Sequence, residues 1–519
     1  MSAEAPARTL VIGLESADLR LVEKWVGEGA LPFLGSMLRS CPLVTLRTPL
    51  HVLQTAVWPS LLTGVSAGRL GRYVLWSQIR NGTYHLHPPP TVPTSLRRYQ
   101  EFLADRGIGS VLADIPNDVR VPGHRGMQIV DWATEFHFGD CETEPREIAA
   151  RIAREVGSYP IAAFRLSGDS QPDHLELARL LDEGVRRKGV LSRWLLEQPG
   201  VEHVVSVFSE MHKAAHWLWK YMDDEHVDHE DSPPVLRDAV RRVYEGVDRE
   251  LAALAALLGP RDNLVVFSEQ GMQANYRGDH LAEPLLEALG LLVRDSSRPP
   301  TLPSGVFARG TNERGPPAGN RSGLWRAIKA TKARIPEALK APLRPFRRRS
   351  DIDWRRTRVF RLPTDRNTYF RVNLRGREPL GCVEPPEYDA LLDRLEAEVR
   401  ALRNGATGAS AVVDVFRLHD LFPGERADYL PDLAVEWAAD TPIDSLQSES
   451  IGTLSLPVRE VRSGNHRAEG FLCASGPAFV AGPARLEGDI LQIPATLLGA
   501  HGVPQPPQFE RGPLPILAS

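Results

Sequence analysis

Four short apolar runs constrain this chain most: Thr9-Leu-Val-Ile-Gly-Leu14, Gly109-Ser-Val-Leu-Ala-Asp-Ile115, Val204-Val-Ser-Val-Phe208 and Asn263-Leu-Val-Val-Phe267. Each is rich in β-branched residues and apolar at successive positions. A strand with one face in water would alternate apolar with polar; these runs require cover on both faces, as in a parallel sheet flanked by helices. Helical patterns fill the intervals, as in Leu175 to Glu197 and Val235 to Leu258. The first run ends at the acidic turn Glu15-Ser-Ala-Asp18 and is followed by an amphipathic pattern, Leu19, Leu21, Val22, Trp25 and Val26. Strand, turn and helix in that order open an α/β fold. The expectation is a three-layer α/β/α sandwich with a mostly parallel central sheet, one elaborated domain spanning 1–519.

One interval departs from this pattern. From 304 to 350 the sequence is first rich in Gly and Pro, then basic: Arg321 to Ser350 holds ten Lys or Arg against one acidic residue, Glu337. It reads as an insertion: a lid, a solvated surface segment, or a partner-binding segment that could contact an anionic surface. Elsewhere the net charge of −4 gives no pull toward nucleic acid, and no nucleic-acid-binding motif is present. There is no glycine-rich phosphate cradle of the Walker or dinucleotide type, which removes kinase and dehydrogenase readings. Cys41, Cys141, Cys382 and Cys473 form no CxxC pair, and no apolar run is long enough to span a bilayer. The first residues show no basic region followed by an apolar core, so the expected location is cytoplasmic.

In open parallel sheets, ligands bind beyond the carboxyl ends of the strands, so the polar residues that follow the apolar runs are the candidates for chemistry. Glu15 follows the first run. Glu210, His212 and His216 follow the third, the two histidines four residues apart and therefore on one face of a helix, where both imidazoles can address one ion. Ser268-Glu-Gln-Gly-Met272 follows the fourth, and His466 sits in Gly464-Asn-His-Arg-Ala-Glu-Gly470.

These segments resemble the alkaline phosphatase superfamily, in its type I phosphodiesterase/nucleotide pyrophosphatase branch. Val11-Ile-Gly-Leu-Glu-Ser-Ala-Asp18 is similar to the family's opening Val-Ile-Gly-Leu-Asp-Gly-Ala-Asp, and Trp58-Pro-Ser-Leu-Leu-Thr-Gly64 to its Trp-Thr-Ser-Phe-X-Thr-Gly. Ser268-Glu-Gln-Gly-Met272 resembles Ser-Asp-His-Gly-Met, Asn465-His-Arg-Ala-Glu-Gly470 resembles His-Arg-Pro-Glu-Gly, and Asp489-Ile-Leu-Gln-Ile-Pro-Ala-Thr496 resembles the closing Asp-Ile-X-Pro-Thr. The resemblance implies a metal-dependent phosphoester hydrolase with one or two divalent ions, zinc first and Mn²⁺ or Mg²⁺ as alternatives, acting on a small-molecule phosphoester such as a diester or nucleotide-like substrate.

Carried over residue by residue, it implies a first ion held by His212, His216 and His466. Glu210 would be a fourth ligand or would orient an imidazole. A second ion would sit at Glu15 and Glu269, with Gln270 where the family has a histidine. The family's threonine nucleophile falls on Gln54, beside Thr55; Thr55 is the expected nucleophile, and metal-activated water replaces it if Gln54 holds that position. Gln54, Gln270, Asn275, His280 and Arg366 are candidates for substrate contact. Two other classes stay open: a catalytically degenerate member acting as a binding or scaffolding module, and a sulfate or phosphonate ester hydrolase or group transferase.

Overall fold

The computed structural model describes residues 7–74, 78–87, 90, 92–93, 95–133, 141–161, 169–295, 297, 351–364, 367–456 and 462–518. The basic segment at 304–350 and Arg366 lie outside the described residues, as does the side chain of Gln54.

The main sheet has nine strands: β1 (Thr9–Leu14), β2 (Pro42–Leu46), β3 (Ser110–Ala113), β4 (Gly126–Val130), β5 (Glu142–Glu144), β6 (His203–Phe208), β7 (Asn263–Ser268), β8 (Gly470–Ser475) and β9 (Ala484–Gly488). Their order is β9-β2-β8-β7-β1-β6-β3-β4-β5. β1 lies at the centre, parallel to β6 on one side and to β7 on the other. β8 runs antiparallel to β7 and to β2, and β5 antiparallel to β4. The expected mostly parallel sheet is present, with its four apolar runs at the centre.

Alternation along these strands explains why both faces are apolar. Leu10, Ile12 and Leu14 enter one core with Val204, Phe208, Leu264 and Val266, under the helices Leu19–Gly27, Gln171–Leu196, Glu210–Met222 and Ala239–Ala255. Val11, Val205, Val207, Val265 and Phe267 enter the other, beneath Val57–Thr63, Tyr99–Asp105 and Ile493–Ala500. Three layers follow directly from a period of two. The long helices match their sequence patterns closely. The expected pattern from Val235 to Leu258 is divided into a short Pro234–Arg237 turn of helix and the Ala239–Ala255 helix.

A smaller antiparallel sheet, in the order Val359–Arg361, Thr368–Val372, Leu433–Trp437 and Val412–Arg417, has its own core with the Ala282–Ala288 and Tyr388–Arg400 helices. One edge of this sheet walls a cavity that opens beside the carboxyl ends of β1 and β7. All four cysteines are free thiols, and among the described residues no helix is long and apolar enough to cross a membrane.

Candidate metal centre

The backbone brings three segments together at the carboxyl end of the central strands. β6 runs straight into the Glu210–Met222 helix, whose one-turn spacing stacks His212 and His216 on the same face. β1 ends at Glu15 and turns sharply through Ser16, which holds a left-handed φ of 56°. Past β7, the strand Gly271–Ala274 pairs antiparallel with Gly464–Arg467, setting Met272 opposite His466. Met272 packs on Ala215 and Trp219 of the histidine helix, so this strand pair delivers His466 to His212 and His216.

All three histidines are buried, with one ligand atom from each lying within 4.8 Å of the others. Among the described residues they are the only group of His, Cys, Asp or Glu side chains gathered this closely. The His216 Nδ1–H donates to the Gly464 carbonyl at 2.7 Å. A carbonyl only accepts, so a proton sits on Nδ1, and in the neutral ring Nε2 carries the lone pair. His212 Nδ1 lies 3.0 Å from Glu15 Oε1, and His466 Nδ1 lies 3.3 Å from Ser16 Oγ. On the far side of their rings, His212 Nε2 and His466 Nε2 face each other at 3.2 Å.

Beside this triad lie two more acidic groups and an amide. Glu269 is fully buried, and burial together with the neighbouring Glu15 carboxylate pushes its carboxyl up to about 8. Gln270 Nε2 donates to Ser16 Oγ at 3.2 Å and lies 3.4 Å from Glu269 Oε1. Glu15 Oε2 and Gln270 Oε1 are buried and have no hydrogen-bond partner among the described residues.

Several expected site residues lie elsewhere. Glu210 does not join the histidines: its Oε1 accepts the Tyr159 hydroxyl at 2.7 Å, and burial raises its carboxyl above the usual range. Two residues along a helix is about 200° of rotation, so Glu210 and His212 cannot share a face. The Thr55 hydroxyl is buried without a hydrogen-bond partner among the described residues, and Thr55 does not line the cavity. Asn275 braces the strand pair rather than facing the cavity: its amide donates to Arg462 O at 3.0 Å and its Oδ1 accepts from Asn465 at 2.8 Å. His280 Nε2 lies 2.8 Å from the Leu456 carbonyl, and burial lowers its pKa.

The cavity itself, about 590 Å³, is lined by His466, Gln270, Arg277, Arg467 and Arg47 on its polar side and by Val413, Phe416 and Trp437 on the other. Arg277 and Ser16 were not among the expected residues. Arg277 sits between Asn275 and His280, held by Asp279 at 3.0 Å and Asn367 at 3.1 Å, while its Nε has no partner among the described residues. Ser16 had a signal in the sequence: it replaces the glycine of the opening motif, and a glycine after a strand marks a left-handed turn.

No family model matches the chain, and no curated protein matches it. Among solved structures it is similar to murine ectonucleotide pyrophosphatase/phosphodiesterase 5, with 12% identity, 96% of each chain covered and a TM-score of 0.46. It is also similar to phosphonoacetate hydrolase from Sinorhizobium meliloti 1021, with 12% identity, 95% of each chain covered and a TM-score of 0.49. Both neighbours are members of the alkaline phosphatase superfamily, the one the sequence motifs resemble. At such identities and scores the likeness assigns no role to any side chain of this chain.

Proposed function

We propose that this chain is a metal-dependent phosphoester hydrolase whose ion is held by His212, His216 and His466. The observation that carries this reading is the 3.2 Å approach of His212 Nε2 to His466 Nε2. With the proton of each ring on Nδ1, both Nε2 atoms carry lone pairs, and two lone pairs at that distance repel unless a cation lies between them. Tetrahedral ligands at the usual Zn–N length stand about 3.3 Å apart, so the spacing suits a shared ion. An all-imidazole donor set favours zinc over the hard, oxygen-seeking Mg²⁺. An ion there supplies Lewis-acid polarisation of a phosphoryl oxygen.

The remaining roles fall to the chain's own residues. Arg277 and Arg467, paired with Asp279 and Glu469, are the cations lining the cavity that would meet a phosphate there, and the Gln270 amide lines the same space. Phe416, Val413 and Trp437 accommodate an organic substituent, which favours a diester over a simple monoester. Water is the attacking group in this reading, because the Thr55 hydroxyl is buried off the cavity and the Ser16 oxygen is engaged by Gln270, Glu269 and His466.

The Thr55 hydroxyl buried off the cavity, and Gln270 standing where the resembled family has a histidine, favour the second reading, a binding module that keeps the ion without turnover. Zinc-loaded protein and bis(p-nitrophenyl) phosphate separate them. Hydrolysis abolished in His216→Ala supports the enzyme. Silence toward diester, monoester, sulfate and phosphonate esters with Zn²⁺, Mn²⁺ and Mg²⁺, while zinc still binds, supports the module.

A further inference from the structure

The three imidazoles share one arrangement: each Nδ1 faces an oxygen of the protein. That oxygen is Glu15 Oε1 for His212, the Gly464 carbonyl for His216 and Ser16 Oγ for His466. The hydrogen bond to the Gly464 carbonyl fixes the tautomer and ring orientation of His216, with Nε2 as the donor to an ion; Glu15 Oε1 stands beside His212 Nδ1 as an ion-pair contact, and Ser16 Oγ lies at hydrogen-bond distance from His466 Nδ1. Glu15 is thus turned toward an imidazole.

Resting on the three-histidine reading above, we propose that the centre holds a single ion, and that Glu15 and Ser16 are positioning residues for His212 and His466 rather than parts of a second ion's shell. Gln270 makes the case from the other side. Its N–H₂ group points at Ser16 Oγ and Glu269 Oε1. A donor therefore occupies the place beside Glu269 where a second cation would have to sit. The Ser16 hydroxyl completes the pattern. It has one proton and two acceptor positions; it donates toward Glu269 Oε1, accepts from Gln270 Nε2 and lies 3.3 Å from His466 Nδ1. Glu269, Gln270 and Ser16 bond to one another, with Gln270 Oε1 and Glu15 Oε2 left as open acceptors beside them, while the three imidazoles gather the nitrogen donors.

The test counts ions and measures affinity on the full chain, independently of turnover. Protein stripped with chelator is reloaded with Zn²⁺ or Co²⁺; metal per chain is counted by mass spectrometry and Kd is measured against a chromophoric chelator. The native protein, Glu15→Gln and Glu15→Ala are each expected to bind one ion. Glu15→Ala should bind it about 10–100-fold more weakly, as for loss of a residue that orients a ligand. Glu15→Gln keeps an oxygen beside His212 Nδ1 and should recover most of that loss, and its cobalt absorption bands should match the native ones. Ser16→Ala should weaken binding about 10-fold without changing the count.

Two ions per native chain, falling to one in Glu15→Gln, would overturn the proposal, as would an unchanged Kd in Glu15→Ala. Full binding by His216→Ala would overturn the three-histidine reading itself, a different result from either of these.

Discussion

Asn465 joins His466 to Asn275: its amide donates to Asn275 Oδ1 at 2.8 Å, and its own Oδ1 accepts the His466 backbone N–H at 2.8 Å. Both asparagines are buried, and Asn275 is tied in turn to the Arg462 carbonyl. The position of His466 therefore depends on a chain of amides with no water to replace it. Asn465→Ala leaves a buried N–H and a buried carbonyl oxygen without partners, which costs about 1–3 kcal/mol. Urea denaturation of the metal-free protein should show that loss, and zinc affinity should fall with it. An Asn465→Ala variant as stable as the native chain would show that the brace is not needed.

Gly464 is the point where the strand pair touches the histidine helix. A Cβ added there would lie 2.1 Å from the Ala215 carbonyl oxygen, a backbone atom that cannot rotate away. Gly464→Ala must push the Gly464–Arg467 strand off the helix, moving both His466 and the carbonyl that holds His216 Nδ1. Overpacking of this kind costs about 1–3 kcal/mol. The expected signature is a larger loss of zinc affinity than the loss of metal-free stability accounts for. Zinc titration and denaturation of the same variant measure the two separately.

Behind the centre, Lys188 Nζ donates to Asp114 Oδ2 at 2.5 Å with both side chains fully buried. Asp114 Oδ1 also accepts the Trp132 backbone N–H at 2.8 Å. Removing one partner of such a pair strands a charge, at about 3–5 kcal/mol, whereas replacing both can be close to neutral. Lys188→Met should therefore be strongly destabilising, and adding Asp114→Asn should restore part of the loss. A double variant no better than Lys188→Met, by chemical denaturation, would contradict this account.

At the amino end of β6, away from the histidine centre, His203 Nδ1 lies 3.2 Å from His501 Nε2 and its Nε2 lies 2.8 Å from the Tyr99 hydroxyl. Burial pulls His203 well below its ordinary value, with His501 and His124 adding to the effect, and burial pulls His501 down to about 4. Below the ordinary histidine value near 6.5 the unfolded chain binds protons that the folded chain refuses. Stability is therefore full above about 6.5 and is lost as the pH falls toward 4. Denaturation curves at several pH values should show His203→Gln losing less stability over that range than the native chain, by about 1–3 kcal/mol. Parallel pH profiles for the two would rule out His203 as a source of acid sensitivity.

The sheet was legible because its signal is local. Leu10, Val11 and Ile12 are all apolar, since one face of β1 meets the histidine helix layer and the other the Val57–Thr63 layer. His212 and His216 were legible for the same reason, as a spacing within one helix. The placement of Glu15 against His212 was not, because nothing in either segment states their distance. Thr55 shows the limit of counting along a motif. Its segment, Pro49–Ala56, is broken at Leu53, whose φ of −124° and ψ of 56° are not helical. Past such a break, spacing no longer says which way a side chain points. Arg277 was hidden for a related reason: in an irregular loop no period distinguishes it from Asn275 and His280.

If the histidines hold an ion only in the folded chain, that ion must raise stability by mass action. Free zinc at a hundredfold its Kd adds about 2.7 kcal/mol, less whatever the unfolded chain binds. His216→Ala should show none of that gain, because two imidazoles do not make the site. Calorimetric scans with excess zinc and with chelator are expected to differ by several degrees in the native protein and to coincide in His216→Ala. Equal shifts in both would place the zinc elsewhere on the chain. The absence of a shift in either would mean that the 3.2 Å contact between His212 and His466 is held by a shared proton.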